Sequence, residues 1–304
     1  MKLPQRKHFQ LYPPLAVCLG SAIFAFLAAV CPAAAQRAPA TPAVVDADVP
    51  ARTWVESAAA NELHVIQDDG KLPLRYRTHK VDNKEDITRE VIETRDGSVA
   101  RLLERNGQKL TAEEDTAERE RLKEILASPD DFIRHHKRDD PMRHDSLQLV
   151  SQMPQAMIFS YTTGQPQLPG ATGRQIAIDF KPNPNYKSPQ TLDNLLTGIE
   201  GRMWIDARSH RMVRIEGQVL QPVNFGWGIL GKIYPGGTIV LEQANAARDR
   251  WVYSQLDTHL TLRVVWKTMP MDNHMTAYNF QPLPSPLSVQ EAVRTLLAMP
   301  VPLR

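Results

Sequence analysis

Residues 226–231 read Gly-Trp-Gly-Ile-Leu-Gly and spell G-x-G-x-x-G. Dinucleotide binding through that pattern needs a strand before it and a helix opening inside it, so that amides at the helix N-terminus face the pyrophosphate. Pro235-Gly236-Gly237 follows too closely for such a helix. The segment is therefore expected to be a Gly-rich connection where backbones approach closely, and no cofactor is assigned to it. A second group, His135, His136, Asp139, Asp140, His144 and Asp145, has side chains that bind metals. Of these, His136 and Asp140 stand four residues apart, on one face of a helix. The surrounding Lys and Arg favour a solvated helical face, and no metal is assigned. Glu200, Asp206 and Glu216, and again Gln255, Asp257 and His259, alternate with other residues along candidate strands. Such spacing places them on a wet sheet face rather than in a carboxylate pair. No G-x-S-x-G elbow is present, and the only cysteines, Cys18 and Cys31, lie near the N-terminus. The chain beyond them has no thiol for a nucleophile, a zinc site or a disulfide. The expectation is a protein that is not an enzyme.

The elements that would position these residues begin after a leader. Lys2, Arg6 and Lys7 precede the uncharged run Leu15–Val30, and Ala33-Ala34-Ala35 forms an A-x-A site. Residues 1–35 read as a signal peptide of the general secretory route, removed after Ala35. A retained anchor, or a lipoprotein built on Cys31, are the alternatives. Three of the 36 cations and none of the 34 anions fall in those residues, so the remainder is nearly neutral. That balance excludes a dedicated nucleic-acid binder, whose basic excess supplies phosphate affinity. An exported chain without disulfides fits a bacterial periplasm.

Residues 36–50 are rich in Ala and Pro and read as a flexible leader. A helix is expected over 53–67, from apolar residues at three- and four-residue steps, ended by Asp68-Asp69-Gly70. Strands are expected over 74–81, 87–94 and 99–105, with Asp96-Gly97 as a hairpin turn. The stretch 111–153 is helical and charged, opened by the capping box Thr111–Glu114 and restarted at Ser128-Pro129 and Pro141. Alternation then returns at 175–180, 199–206, 213–219, 238–243 and 251–266, with a short helix from Ser188 to Leu196. A second reciprocal box, Ser288–Glu291, opens a closing helix. Long runs of strands with segregated helices give an α+β fold on an antiparallel sheet.

The paired segments Gly198–Asp206 and His210–Glu216 have the shape G-x-x-W-I-D, short turn, R-x-x-R-I. With the early helix, the exported N-terminus and the loops Lys181–Tyr186 and Phe225–Gly231, this pattern resembles the superfamily of periplasmic lipoprotein carriers and outer-membrane lipoprotein-sorting proteins. The resemblance implies a curved antiparallel sheet, an incomplete barrel wrapped around helices, in one domain over residues 51–304. The charged helical insertion at 111–153 departs from the compact pattern. It also implies a non-enzymatic periplasmic carrier of an apolar ligand, a lipid or lipoprotein acyl chain. The candidate lining residues are Ile199, Met203, Ile205, Val213, Ile215, Val219, Leu256 and Leu260, with Tyr186, Phe225 and Trp227 at the mouth. The same residues would make an ordinary filled core if no cavity exists. The alternative function is an envelope sensor or scaffold that binds a protein partner through the insertion.

Export is directly testable. N-terminal sequencing of the protein recovered from cells should begin at Gln36; a chain that still starts at Met1 and fractionates with membranes would make it a tethered protein.

Overall fold

The computed structural model describes residues 49–67, 72–138, 141–189, 191–225, 231–248 and 250–304. The leader through residue 48, the Asp68–Gly70 stop, Asp139, Asp140 and Trp227 therefore lie outside the described residues, as do the side chains of His136 and Phe225. Helix α1 (Ala51–Gln67) comes first, then strands β1 (Leu74–Asp82), β2 (Asp86–Thr94), β3 (Gly97–Arg105) and the short β4 (Gln108–Lys109). Three helices follow: α2 (Ala112–Ala127), α3 (Pro129–Arg138) and α4 (Pro141–Ala156). Then come β5 (Met157–Tyr161), β6 (Gln175–Pro182), a 3-10 turn over Thr191–Thr197, β7 (Ile199–Asp206) and β8 (Met212–Val219). The chain closes with β9 (Val223–Phe225), β10 (Gly231–Ile233), β11 (Thr238–Ala247), β12 (Arg250–Val264), β13 (Lys267–Pro282) and α5 (Val289–Ala298).

All strands join one antiparallel sheet in the order β4-β3-β2-β1-β13-β12-β11-β8-β7-β6-β5, with β10 and β9 added beside the far end of β12. Its two ends, β4 and β5, do not pair, so the sheet is open rather than a closed barrel. The α+β class with an antiparallel sheet is thus as expected. Several elements differ from the sequence reading, among them the short strands β4, β9 and β10, which it does not contain. The short helix is a 3-10 turn that starts later, at Thr191, while β5 and the long β13 did not show in the alternation. At the β2–β3 hairpin Thr94 pairs with Gly97, so the turn residues are Arg95 and Asp96, and Gly97, at φ +126°, opens the next strand. The Thr94 hydroxyl sets this turn by donating to the Gly97 carbonyl at 2.7 Å.

Because side chains alternate along a strand, cross-strand partners share a face and form rows across the sheet. One row runs Lys80, Met275, Leu256, Leu241, Ile215, Met203, Ile178. The next runs Asp82, Asn273, Thr258, Ile239, Gly217, Gly201, Phe180. We call this side the inner face. Helices α1 and α4 pack on it at the β5–β8 end, where Val55 and Ala58 join Met157, Ile178, Met203 and Ile205 in one buried cluster. Helices α2 and α5 cover the opposite face at the other end, where Ile92 and Val99 meet Leu122, Val293 and Leu296. Both expected capping boxes form, at Thr111–Glu114 on α2 and Ser288–Glu291 on α5.

Between the helix pairs the outer face is a ladder of polar pairs: the ion pairs of Asp179 with Arg202 and of Arg214 with Glu216 and Glu242, then Asp257 with His274 and Asp272 with His259. Glu216, Asp257 and His259 therefore stand on a wet face, as their alternation indicated. Such exposed pairs fix register more than they add stability.

Gly201 marks the closest approach on the inner face. A β-carbon there would fall 1.8 Å from the Glu216 carbonyl oxygen and 2.8 Å from Phe180 Cζ. Gly201→Ala should cost about 3 kcal/mol in a urea titration, because the Glu216 backbone cannot move without breaking the β7–β8 pairing.

Candidate functional site

Helix α1 buries a stripe at steps of four, three and four: Ala51, Val55, Ala58, Glu62. The first three are small or apolar and lie on Met203 and Ile205. The fourth is a carboxylate at 5% exposure, carried to the sheet by the same helical period. Glu62 accepts from the Tyr253 hydroxyl and, at 2.6 Å, from Gln243 Nε2. Burial pushes its carboxyl above the usual value, against the opposing pull of these hydrogen bonds and the Arg211 charge. Burial likewise holds the Tyr253 phenol well above its ordinary range, reinforced by the Glu62 charge, so Tyr253 is the donor.

The rest of α1 is fastened to the β7–β8 turn by polar contacts. Asn61 Nδ2 donates to the Ser209 and His210 carbonyls at 3.3 and 3.0 Å, and Arg211 returns a bond to the Asn61 carbonyl at 2.8 Å. Ser57 Oγ lies 2.8 Å from His210 Nδ1, and the His210 ring packs against Trp54 with centroids 4.6 Å apart. The turn itself is built by Asp206, whose carboxylate accepts from the Ser209 amide and hydroxyl, both at 2.7 Å, with His210 at φ +54°. The Ser57–His210 contact has the reach of a nucleophile and base. Among the described residues no carboxylate orients the imidazole, which the activated pair requires. The contact instead serves to hold α1.

The structure brings most of the expected lining residues to the inner face. Met203, Ile215 and Leu256 share one row, with Leu241 between the last two. Ile199 and Val219 pair directly, and Ile205 continues the β7 side of that face. Val219 and Leu260 belong to a cluster with Val223, Ile233, Leu262 and Met271, against which Ile199 packs. Ile199 and Ile215 also pack against the cluster under α1, so this half of the face is covered by helix. Val213 stands apart, at the β8 irregularity between the pairs Trp204–Arg214 and Ile205–Met212. Tyr186 is half-buried against the α1 cluster, with its hydroxyl 3.2 Å from Gln152 Oε1.

Sequence reasoning missed the polar pair next to these rows. Thr258 and Asn273 sit opposite each other in the second inner row, at 4% and 2% exposure. The Thr258 hydroxyl and both amide atoms of Asn273 have no hydrogen-bond partner. An unpaired buried amide costs about 1–3 kcal/mol, so such a group is seldom left without a role. Glu62 carried a readable signal, a carboxylate continuing an apolar helical stripe. Asn273 did not, because β13 shows no clean alternation.

A cavity of about 460 Å³ lies apart from these rows, between α2 and strands β2 and β3. Arg89, Arg105 and Arg121 line it together with Glu85, Glu114 and Glu118. Each cation already faces an anion: Arg121–Glu118 at 2.7 Å, Arg105–Glu114 at 3.6 Å and Arg89–Glu85 at 3.9 Å. The cavity thus offers no net charge to a ligand.

No family model matches the chain, and no curated protein matches it. Among solved structures it is similar to MucB in the crystal structure of MucB in complex with MucA(peri), at 9% identity and a TM-score of 0.21, over 80% of this chain and 97% of that one. A likeness at that TM-score carries no argument about function. The lipoprotein-carrier resemblance rests on the strands and loops quoted above. Among the described residues no helix is long and apolar enough to cross a membrane.

The Glu62 contact has a pH signature. A carboxyl raised on folding contributes stability that is fully present below its unfolded value of 4.5 and is lost as pH rises through the folded value. Glu62→Gln keeps the shape, and a flip of Gln243 lets its free Oε1 accept from the new amide. In urea titrations from about pH 4 to about pH 8, the variant should gain on wild type as pH rises; parallel curves would show that Glu62 is not strained by burial.

Proposed function

We propose that this protein is a non-enzymatic periplasmic binding protein that carries an amphiphile, a lipid or lipoprotein acyl chain, on the inner face of its open sheet. The observation that supports this reading is the juxtaposition of two rows. Leu256, Leu241, Ile215 and Met203 form an apolar track, and beside it Thr258 and Asn273 hold three unpartnered polar atoms. An acyl chain suits the first and an ester or amide head the second. Moving such a chain through water requires burying it, at about 0.8 kcal/mol per methylene.

Helix α1 covers part of the apolar track with alanines, Val55 and the half-buried Trp54, and polar contacts fasten it to the β7–β8 turn and to Gln243. Water can replace those contacts when the helix shifts, which suits a displaceable cover. The sensor or scaffold reading has less to draw on. One face of α2 is committed to α5 and the β3 edge, and one face of α4 to α1, so the insertion also has a part in the fold itself.

An apolar fluorescent probe tests the reading. Ile215→Ser should weaken probe or acyl-chain uptake by about tenfold or more while circular dichroism shows a folded protein. Arg214→Ser, on the outer face beside Glu216 and Glu242, should leave uptake unchanged. If wild type takes up no probe, the inner face is a filled core and the carrier reading fails.

A further inference from the structure

The longest hairpin ends in an apolar tip. Val264 pairs with Lys267, leaving Val265 and Trp266 as the two turn residues. Trp266 is 89% exposed, and Val264 and Val265 are 44% and 39% exposed. Two-residue hairpin turns favour Gly, Asn or Asp where φ is positive, and a β-branched residue there is strained. Val265 nevertheless sits at φ +57°. The fold therefore places three large apolar residues in water, one in an unfavourable backbone region. Strain of this kind concentrates at functional positions.

The charge around the tip has one sign. β10 pairs with the end of β12, setting Lys232 directly opposite Arg263, and Lys267 follows the turn. The sequence has no Asp or Glu from residue 217 to 241, nor from 258 to 271. Lys232 also lies over the Tyr234 ring, 5.3 Å from its centroid, which adds a second amphipathic aromatic at this edge. Elsewhere on the outer face arginines have a carboxylate beside them, as the Arg202 and Arg214 pairs show.

We propose that the β12–β13 tip docks this protein on an anionic lipid surface, with Trp266 and the flanking valines at headgroup depth and Lys232, Arg263 and Lys267 over the lipid phosphates. Tryptophan settles at that depth because its ring is apolar and its N–H is polar. The cations supply the attraction that one short apolar tip lacks by itself. A protein partner would have to offer an acidic surface around an aromatic pocket, whereas an anionic lipid surface meets the exposed Trp266 and the cations with no built pocket. The inference does not depend on what the inner face holds.

Co-sedimentation of the processed protein with phosphatidylcholine vesicles, with and without phosphatidylglycerol, tests it. Wild type should bind the mixed vesicles, lose that binding as salt rises, and ignore pure phosphatidylcholine. Trp266→Ser should weaken binding roughly tenfold or more. Arg263→Ser with Lys267→Ser should weaken it about 30-fold, near the loss expected for two interfacial cations. Leu303→Ser, an exposed apolar residue remote in sequence, is the control and should bind as wild type does. All variants should keep the wild-type circular dichroism and melting temperature. The proposal is overturned if wild type fails to bind the anionic vesicles, if it binds neutral ones equally, or if Trp266→Ser binds as well as wild type.

Discussion

Cross-strand register is the constraint on which the molecule depends. The apolar track under α1 exists only because seven strands pair without a face-changing slip from Lys80 to Ile178. A shift of one residue in any of them would send a track residue outward and bring a ladder charge in. The outer ion pairs and the inner glycines act together against that shift. Arg214 bridges Glu216 on its own strand and Glu242 on the neighbouring one, which ties β8 to β11 from outside. Gly201 and Gly217 sit face to face inside, where Phe180 occupies the space a side chain at Gly201 would take and Ile199 the space of one at Gly217.

An open sheet has two edges, and unpaired edge groups invite aggregation. At the β3 edge the Leu102 amide donates to Glu118 at 2.8 Å, and Arg121 donates to the Ala100 carbonyl at 2.6 Å. Helix α2 thus completes the strand with side chains in place of a further strand. Its neighbour α5 is joined through Arg101, a guanidinium at 1% exposure that donates to the Leu296 and Met299 carbonyls and to Asp115. Those carbonyls end a helix, where a cation also meets the negative pole of the helix dipole. The charged insertion therefore serves an architectural purpose: it closes the edge that the short β4 leaves largely open.

Much of this was legible in the sequence, for identifiable reasons. The strands with strict alternation, β6, β7 and β8, are legible with their inner faces, although in β6 the other side is buried as well, at Gln175 and Ala177, under the segment that carries Gln165 and Gln167. The capping boxes were read because their chemistry is local. β13 was not. Its stretch Lys267–Pro282 holds Pro270, Asn273, His274 and Asn279 and never alternates cleanly. It is a strand because β1 and β12 pair on its two sides, which is tertiary information. The lining residues followed from alternation, whereas their cover did not: nothing in the α1 sequence says which strands it crosses. The Thr258–Asn273 pair needed β13 to be visible at all.

The way α1 is held bears on what the inner face can do. An apolar helix pressed on an apolar track would be released only at the full cost of exposing both. Here most of the large side chains belong to the sheet, while α1 contributes alanines, one valine, the half-buried Trp54 and the polar fastenings of Ser57, Asn61 and Glu62. A protein–protein hydrogen bond exchanged for one to water costs only about 1 kcal/mol net. Five or six such exchanges are offset by burying about seven methylenes, fewer than a typical lipid acyl chain carries. The carboxylate of Glu62 tilts the same balance, since exposure to water removes the burial that raises its proton affinity. If the inner face takes an acyl chain, as proposed, the polar share of this cover lies within the free energy that burying the chain supplies, and the contacts of Val55 and Trp54 add the apolar share.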